Sequence, residues 1–226
     1  MTFFAPLVHP PGLLRRLYPE AFWRMGGSSK SVFITFDDGP IPIVTPWILE
    51  RLDEANAKAT FFCVGENVER NPEIYEDILK QGHAVGNHTF NHMQGLKSND
   101  EEFYQNIDKA ARLIQSNLFR PPHGFMSFSQ YRHISQKYKI IMWDILSRDY
   151  DPAVKPSKIV DYINRYIQNG SIITFHDSAK TYETLHQTLP LVIKMLKDEG
   201  YQLEAIPFYS KEQLLLHPLK NEGIVR

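Results

Sequence analysis

Short apolar runs alternate with longer amphipathic segments along most of the chain, and this alternation constrains the fold more than any other feature. Each short run is followed by a segment with helical spacing of its apolar residues. The short runs read "SVFITF", "ATFFCVG", "HAVGN", "LFRPP", "KIIMWDIL", "GSIITFH" and "YQLEAIPF". Strands that alternate with helices are typical of a parallel sheet, so we predict about seven β-α units in an α/β domain, arranged as a barrel or as a doubly wound sheet.

The series runs without a linker rich in Pro, Gly and Ser and without a low-complexity tract. We therefore expect a single domain over 1–226, with an N-terminal arm over 1–30 and a core over 31–208. Ser98 with Glu101 fits a helix capping box, and Asn71 before Pro72 fits an N-cap followed by the first helical residue. Glycines are expected just beyond three helices, at Gly82, Gly170 and Gly200.

The charge balance gives this chain no overall attraction for nucleic acid. It has 25 Lys and Arg against 26 Asp and Glu, a formal net charge of -1. The single cysteine, Cys63, lies in an apolar run and is expected to be an ordinary buried thiol. We see neither a secretion signal nor an apolar run near the roughly 20 residues that span a bilayer, so a cytoplasmic location is expected.

The arm segment "GLLRRLYPEAFWRM" mixes leucines and aromatic residues with arginines. This composition allows weak contact with a membrane interface, which would make the protein membrane-peripheral. It also allows an arm packed across the domain, and because most amphipathic segments cover a core, we favour packing.

Polar residues stand out just beyond the predicted strand ends. In a parallel α/β domain the carboxyl ends of all strands lie at the same rim of the sheet, and active sites lie at this rim. The residues at this predicted rim are Asp37, Asp38, His88, His92, Arg120, Asp149 and His176.

Two histidines and a carboxylate at this rim predict a metal centre. In "HTFNH" His88 and His92 are four residues apart, so a helical turn would place both imidazoles on one face. With one aspartate of "FDDG" they form a ligand set that leaves positions open for water and substrate. The second aspartate is then free to act as a general base. Such nitrogen and oxygen donors suit Zn²⁺ best, and also Co²⁺, Ni²⁺ or Mn²⁺.

The motifs resemble those of the NodB-homology polysaccharide deacetylases, carbohydrate esterase family 4. "TFDDGP", "HTFNH" and "RPPHG" match the first three family motifs in order, "DILSRDY" approximates the fourth and "TFH" the fifth. The resemblance spans 35–176 and implies a distorted β/α barrel with fewer than eight regular strands. It implies a metal-dependent hydrolase that removes an N-acyl group, typically acetyl in this family, from an amino sugar or polysaccharide.

The same resemblance implies a role for each site residue. Asp37 would be the general base, His176 the general acid, and Asp38, His88 and His92 the metal ligands. Arg120 would orient the base and Asp149 would keep His176 protonated. The backbone N–H of His123 would stabilise the oxyanion of the substrate.

Three residues depart from the family pattern. His123 stands where Tyr is frequent, Tyr150 where Trp is usual, and Thr174 where Leu is usual. Tyr150 and Thr174 would line the acyl pocket, so we expect a changed acyl or sugar preference, with a more polar or differently shaped group. Short loops also allow a lipid-linked or small N-acyl or N-formyl sugar as substrate.

Two other functions are open on sequence grounds. A pair of histidines with a carboxylate also occurs in non-haem iron enzymes, although those usually have antiparallel β folds. The chain could also be a non-catalytic carbohydrate-binding relative, but Asp37 and His176 are both retained.

Overall fold

The computed structural model describes residues 8–26 and 30–208. The strands of this part of the chain are Ser31–Asp37 (β1), Thr60–Cys63 (β2), Ala84–Asn87 (β3), Leu118–Phe119 (β4), Lys139–Ile140 (β5), Ile145–Leu146 (β6), Ile172–His176 (β7) and Gln202–Leu203 (β8). Its α-helices are Gly12–Leu17 (α1), Val44–Glu54 (α2), Gly65–Arg70 (α3), Pro72–Lys80 (α4), Asp100–Ala110 (α5), Phe128–Ile134 (α6), Pro156–Tyr166 (α7) and Tyr182–Asp198 (α8). The last predicted unit pairs "YQLEAIPF" with an amphipathic segment, "SKEQLLLH", and this segment lies outside the described residues.

The sheet is parallel and curls into a half-barrel, which confirms the predicted fold class. Its strand order is β5-β4-β3-β2-β1-β7-β6, and β8 pairs with the first two residues of β1 off this path. The predicted strand "KIIMWDIL" divides into β5 and β6. β5 pairs with β4 and β6 pairs with β7, and between the two strands the backbone carbonyls of Ile141 and Met142 accept hydrogen bonds from the side chain of Arg120.

The N-terminal arm spans the opening between β5 and β7. Phe22 forms a parallel bridge with Ile141, just beyond β5, and the N–H of Met25 donates to the carbonyl of Gly170 at 2.8 Å. Tyr18 and Trp23 are buried in the described structure, at 5% and 6% exposure. The arm therefore packs across the domain, the interpretation that the sequence favoured.

Strand β1 lies at the centre of the sheet, and all seven of its residues are buried. On its outer face Val32, Ile34 and Phe36 pack with apolar residues of α2 and α8. On its inner face Phe33 joins the apolar filling of the barrel. Side chains alternate along a strand, so Thr35 and Asp37 share this inner face above Phe33.

Helix boundaries follow the predictions in part. Asn71 precedes α4 with Pro72 as the first helical residue, as predicted. The capping box of Ser98 with Glu101 is wrong, because Asn99 caps α5 by accepting from the N–H of Glu102 at 2.9 Å. The glycines at 82, 170 and 200 follow α4, α7 and α8 with positive φ.

None of the described helices has the length and the apolar character needed to cross a membrane. Cys63 is buried, as expected, and burial raises the pKa of its thiol well above the ordinary value.

Candidate active site

The residues predicted for the site converge at the carboxyl ends of the strands. They surround one cavity of about 720 Å³. Every predicted site residue lines this cavity except Asp149, which lies buried behind His176. The topology brings them together as expected, since β1, β3, β4, β6 and β7 all end at this rim.

Asp38, His88 and His92 form a cluster that could hold a metal ion. One ligand atom from each lies within 4.8 Å of the others. The Nε2 atoms of His92 and His88 lie 3.2 Å and 3.8 Å from Oδ1 of Asp38. This Oδ1 is buried and has no hydrogen-bond partner among the described residues. A buried carboxylate oxygen beside two imidazole nitrogens fits a divalent cation, because such an atom is costly to leave unpaired.

The backbone reaches this arrangement without a helix. Residues 88–92 form no helical turn, and Thr89 and His92 have positive φ values of 65° and 59°. The expectation of a helical turn is therefore wrong, although the two imidazole centroids do lie 5.2 Å apart. Asp38 also has a positive φ, 85°, and its carbonyl accepts a hydrogen bond from Nδ2 of Asn67 at 2.7 Å.

His88 is held in the tautomer that a metal ligand requires. Its Nδ1 lies 2.8 Å from the carbonyl oxygen of Arg120. A carbonyl only accepts, so Nδ1 carries the hydrogen and the lone pair of Nε2 faces Asp38. Burial lowers the pKa of His88 to about 4, so its imidazole is neutral at pH 7.

The carboxylate of the cluster, Asp38, stays ionised. Burial acts to raise the pKa of Asp38, but the adjacent His92 and the charge of His176 outweigh it and hold the pKa below its ordinary range. Ionised Asp38 and neutral His88 are the protonation states that metal coordination needs.

Asp37 is fixed by a fully buried arginine. Nη1 of Arg120 lies 2.6 Å from Oδ1 of Asp37 and also donates to Oγ1 of Thr35 at 2.7 Å. Nε and Nη2 of Arg120 donate to the carbonyls of Ile141 and Met142, and its guanidinium lies 4.1 Å from the ring centre of Phe62. These hydrogen bonds fix the position of the Arg120 guanidinium, and the guanidinium in turn orients Asp37.

His176 is paired with a buried carboxylate. Its Nδ1 lies 2.8 Å from Oδ1 of Asp149, and its backbone N–H donates to Oδ2 at 2.7 Å. Ser147 also donates to Oδ1 at 2.9 Å. Burial acts to lower the pKa of His176, but Asp149, with Asp37 and Asp38 beyond it, raises the pKa to about 9. The imidazole is thus protonated at neutral pH.

The residues predicted to contact substrate have different surroundings. His123 has a positive φ of 61°, and its Nε2 lies 2.7 Å from Nε2 of Gln94. The ring of Tyr150 meets that of His176 edge-on at 4.8 Å. Thr174 is 2% exposed and its Oγ1 lies 3.2 Å from Oγ1 of Thr35.

The role of Thr174 in acyl preference stays a prediction, but its hydrogen bonds bear on it. The hydroxyl of Thr35 donates to the carbonyl of Ile173, so it accepts from Thr174. The hydroxyl hydrogen of Thr174 is then used within the protein. This arrangement favours a change in the shape of the pocket over a new donor to a polar acyl group.

Sequence reasoning missed several residues of the site. Thr35 supports Arg120, and Trp143 lines the cavity against Gly124. Alternate residues of β1 share one face, so Thr35 lies on the same face as Asp37, and this spacing could have indicated it. Leucines of α1 also line the cavity, and no motif marked them: they are Leu13, Leu14 and Leu17.

Comparison with known proteins agrees with this geometry. The family described as "Polysaccharide deacetylase" matches residues 24–140. A peptidoglycan-N-acetylglucosamine deacetylase of Bacillus cereus is 31% identical over 205 residues, covering 86% of this chain and 95% of the relative. A chitooligosaccharide deacetylase of Azorhizobium caulinodans is 32% identical, covering 81% of this chain and 96% of the relative.

A solved structure gives the same result. The crystal structure of a peptidoglycan N-acetylglucosamine deacetylase in complex with 4-naphthalen-1-yl-N-oxidanyl-benzamide superposes with a TM-score of 0.79 at 30% identity, covering 88% of this chain and 95% of that one. Shared fold, shared motif order and this degree of identity lead to one conclusion: the chain belongs to the polysaccharide deacetylase family, carbohydrate esterase family 4.

Proposed function

We propose that this protein hydrolyses the N-acyl group of an amino sugar with the aid of a divalent cation at Asp38, His88 and His92. The observation that carries the proposal is the placement of an oriented carboxylate, Asp37, and a protonated imidazole, His176, around that cluster in one cavity. The parallel β-α fold disfavours the non-haem iron alternative.

Each step of hydrolysis has a residue suited to it. A cation bound at this cluster would polarise the acyl carbonyl and lower the pKa of water. Asp37 accepts the proton of the attacking water; its Oδ1 is committed to Arg120, so Oδ2 is the acceptor. A C–O bond forms, the C–N bond breaks, and Nε2–H of His176 donates its proton to the departing amine nitrogen.

Positioning groups complete the mechanism. Asp149 fixes the ring of His176 through Nδ1, which directs Nε2 toward the cavity. The backbone N–H of His123 is proposed as the donor to the oxyanion, in the manner of an oxyanion hole. Zn²⁺ is the cation that we propose, because two imidazoles and one carboxylate with open positions are typical of catalytic zinc.

The relatives are named for peptidoglycan N-acetylglucosamine and for chitooligosaccharides. We extend to this chain the shared chemistry, an N-acetylated amino sugar, and propose that residues 31–208 supply the catalytic unit.

The test is acetate release from N-acetylglucosamine oligomers, with and without a chelator. We expect release that the chelator abolishes and that Zn²⁺ restores. Asp37→Asn should lower kcat by a factor of at least about 10², the low end for general-base catalysis. Asp161→Asn, on the exposed surface of α7, is the matched control and should leave kcat unchanged.

The same assay decides between an enzyme and a carbohydrate-binding relative. Binding of oligomers without acyl release from any substrate of an N-acetyl, N-formyl and longer N-acyl panel would support the non-catalytic alternative. Release that Asp37→Asn does not slow would refute the assignment of the base.

A further inference from the structure

Helix α1 forms an apolar wall of the catalytic cavity. Leu13, Leu14 and Leu17 line it, and none of the side chains of α1 is fully buried. Leu13 is 74% exposed and Leu17 is 55% exposed, although both belong to a residue type that is usually buried. Leu13 and Leu17 therefore contribute little to the core and are available to a ligand, whereas Leu14 also packs against the core.

The wall continues into the barrel. Next to α1 the cavity is lined by further apolar side chains, which are Phe125, Trp143 and Leu146. Trp143 follows Met142, whose carbonyl is bonded to Arg120 beside Asp37. The apolar surface thus extends from α1 to the immediate surroundings of the reacting residues.

Polar contacts hold α1 in place. Nη2 of Arg15 lies 2.6 Å from Oδ1 of Asp144, a fully buried carboxylate. Just beyond α1, the hydroxyl of Tyr18 donates to the carbonyl of Met126 at 2.7 Å and accepts from its N–H at 3.1 Å. The orientation of α1 is set by these hydrogen bonds, which leaves its exposed leucines directed to the cavity.

A chain of sugars matches this wall poorly. Sugar hydroxyls that leave water need hydrogen-bond partners, and leucine side chains offer none. An aliphatic chain loses nothing by leaving water and gains free energy in proportion to the area that it buries. The cavity volume of about 720 Å³ lies within the range of sites for drug-sized ligands, so it is large enough to hold more than an acetyl group.

We propose that the substrate of this enzyme carries an aliphatic chain, which binds against Leu13 and Leu17 of α1 while the amide lies at the catalytic residues. This inference rests on the proposed N-deacylase function. The chain would be either a long N-acyl group or an alkyl group on the sugar, and the two have the same chemistry toward α1.

Two substrate series test the proposal. In the first, glucosamine carries N-acyl groups of two, four, six and eight carbons. In the second, N-acetylglucosamine carries alkyl aglycones of one, four and eight carbons. We expect kcat/KM to rise in one series by about fourfold for each methylene that the wall buries. The series that responds identifies which part of the substrate carries the chain.

Matched variants link any rise to α1. Leu13→Asp and Leu17→Asp should remove the dependence on chain length, so that the ratio of kcat/KM between the longest and the shortest substrate of the responding series falls to about one. The control is Leu191→Asp on α8, which is 55% exposed like Leu17 but lies outside the cavity lining. It should keep the dependence.

A binding measurement separates this inference from the proposed function. Octyl glucosaminide and octanoate are the long-chain products of the two series and undergo no further deacylation. One of them should bind at least about tenfold more tightly than its short-chain counterpart, as burial of two or more methylenes implies. Leu17→Asp should remove that gain.

Each result has one meaning. Hydrolysis of short substrates with no effect of chain length, in rate or in binding, would overturn the aliphatic-chain proposal and keep the deacylase. A chain-length effect that Leu13→Asp and Leu17→Asp leave intact would also overturn it. A long-chain product that binds through Leu17, with no turnover of any substrate, would support the apolar subsite and refute the N-deacylase function.

Discussion

Asp37 and His176 are direct neighbours across the two central strands, since their Cα atoms are partners in the parallel register of β1 and β7. The next inward pair along the same register is Thr35 with Thr174. One pair of strands thus supplies the proposed base, the proposed acid and the hydroxyls beneath them. Each of these two proposed catalytic side chains then has its own ionic partner, Arg120 for Asp37 and Asp149 for His176.

The buried pair of Arg120 with Asp37 should be essential for stability as well as for activity. Arg120→Ala leaves the Asp37 carboxylate without its partner at 5% exposure, and we expect a loss of about 3–5 kcal/mol in the free energy of unfolding. Urea denaturation measures it. Arg70→Ala removes an exposed pair with Glu66 of similar length, 2.7 Å, and should cost about 0.5 kcal/mol. Equal losses in the two variants would contradict this account.

The stability of the metal-free protein should depend on the protonation of His176. Its pKa in the folded state is raised to about 9 from an ordinary 6.5. The folded state therefore binds the proton more tightly, so this contribution is fully present below about pH 6.5 and is lost as pH rises through about 9. Chelator-treated protein should become less stable over this interval. In His176→Gln the decline should be weaker, and an unchanged decline would assign it to another group.

Cation binding should stabilise the fold through the Asp38, His88 and His92 cluster. At a hundredfold excess over Kd, Zn²⁺ should raise Tm by about 5–10 °C. His92→Gln should reduce this shift strongly. His133→Gln is the control, because His133 stacks on Tyr104 at 4.0 Å and lies outside the cluster. A shift that survives in His92→Gln would place the cation elsewhere.

Gly124 should tolerate no side chain. It has a φ of 76°, and an added Cβ would lie 2.3 Å from the ring of Trp143. Gly200 has a similar φ of 81° with open space around it. Gly200→Ala should therefore cost only the backbone strain, about 1–2 kcal/mol, and Gly124→Ala distinctly more because Trp143 must also move. Calorimetry of the two variants measures the difference, and equal Tm values would show that Trp143 yields freely.

Much of this site could be predicted because topology alone determines where strand ends lie. Asp37 and His176 are the last residues of two strands that can be recognised from their apolar content and length. A parallel sheet brings the ends of both strands to the same rim. The metal cluster was also predicted, but for the wrong local reason. Spacing suggests a helical turn for "HTFNH", whereas positive φ at Thr89 and His92 depends on tertiary contacts that spacing does not encode.

The features that the sequence did not indicate depend on distant contacts. β5 and β6 are separate because they pair with different strands, β4 and β7, which lie toward opposite ends of the sheet order. The position of α1 follows from Asp144, far along the chain from Arg15. The amphipathic pattern of the arm predicts that it covers an apolar surface, but only the fold shows which surface that is.

Phe22 and Met25 bridge the open side of the half-barrel, and this bridge couples the closure of the sheet to the shape of the cavity. The same short stretch of polypeptide closes the sheet and, a few residues earlier, lines the cavity. Its partners Asp144 and Met126 lie more than a hundred residues away along the chain, so this stretch can reach its final position only after those residues have been synthesised. A substitution in this stretch that changes ligand preference therefore also affects how the half-barrel is closed.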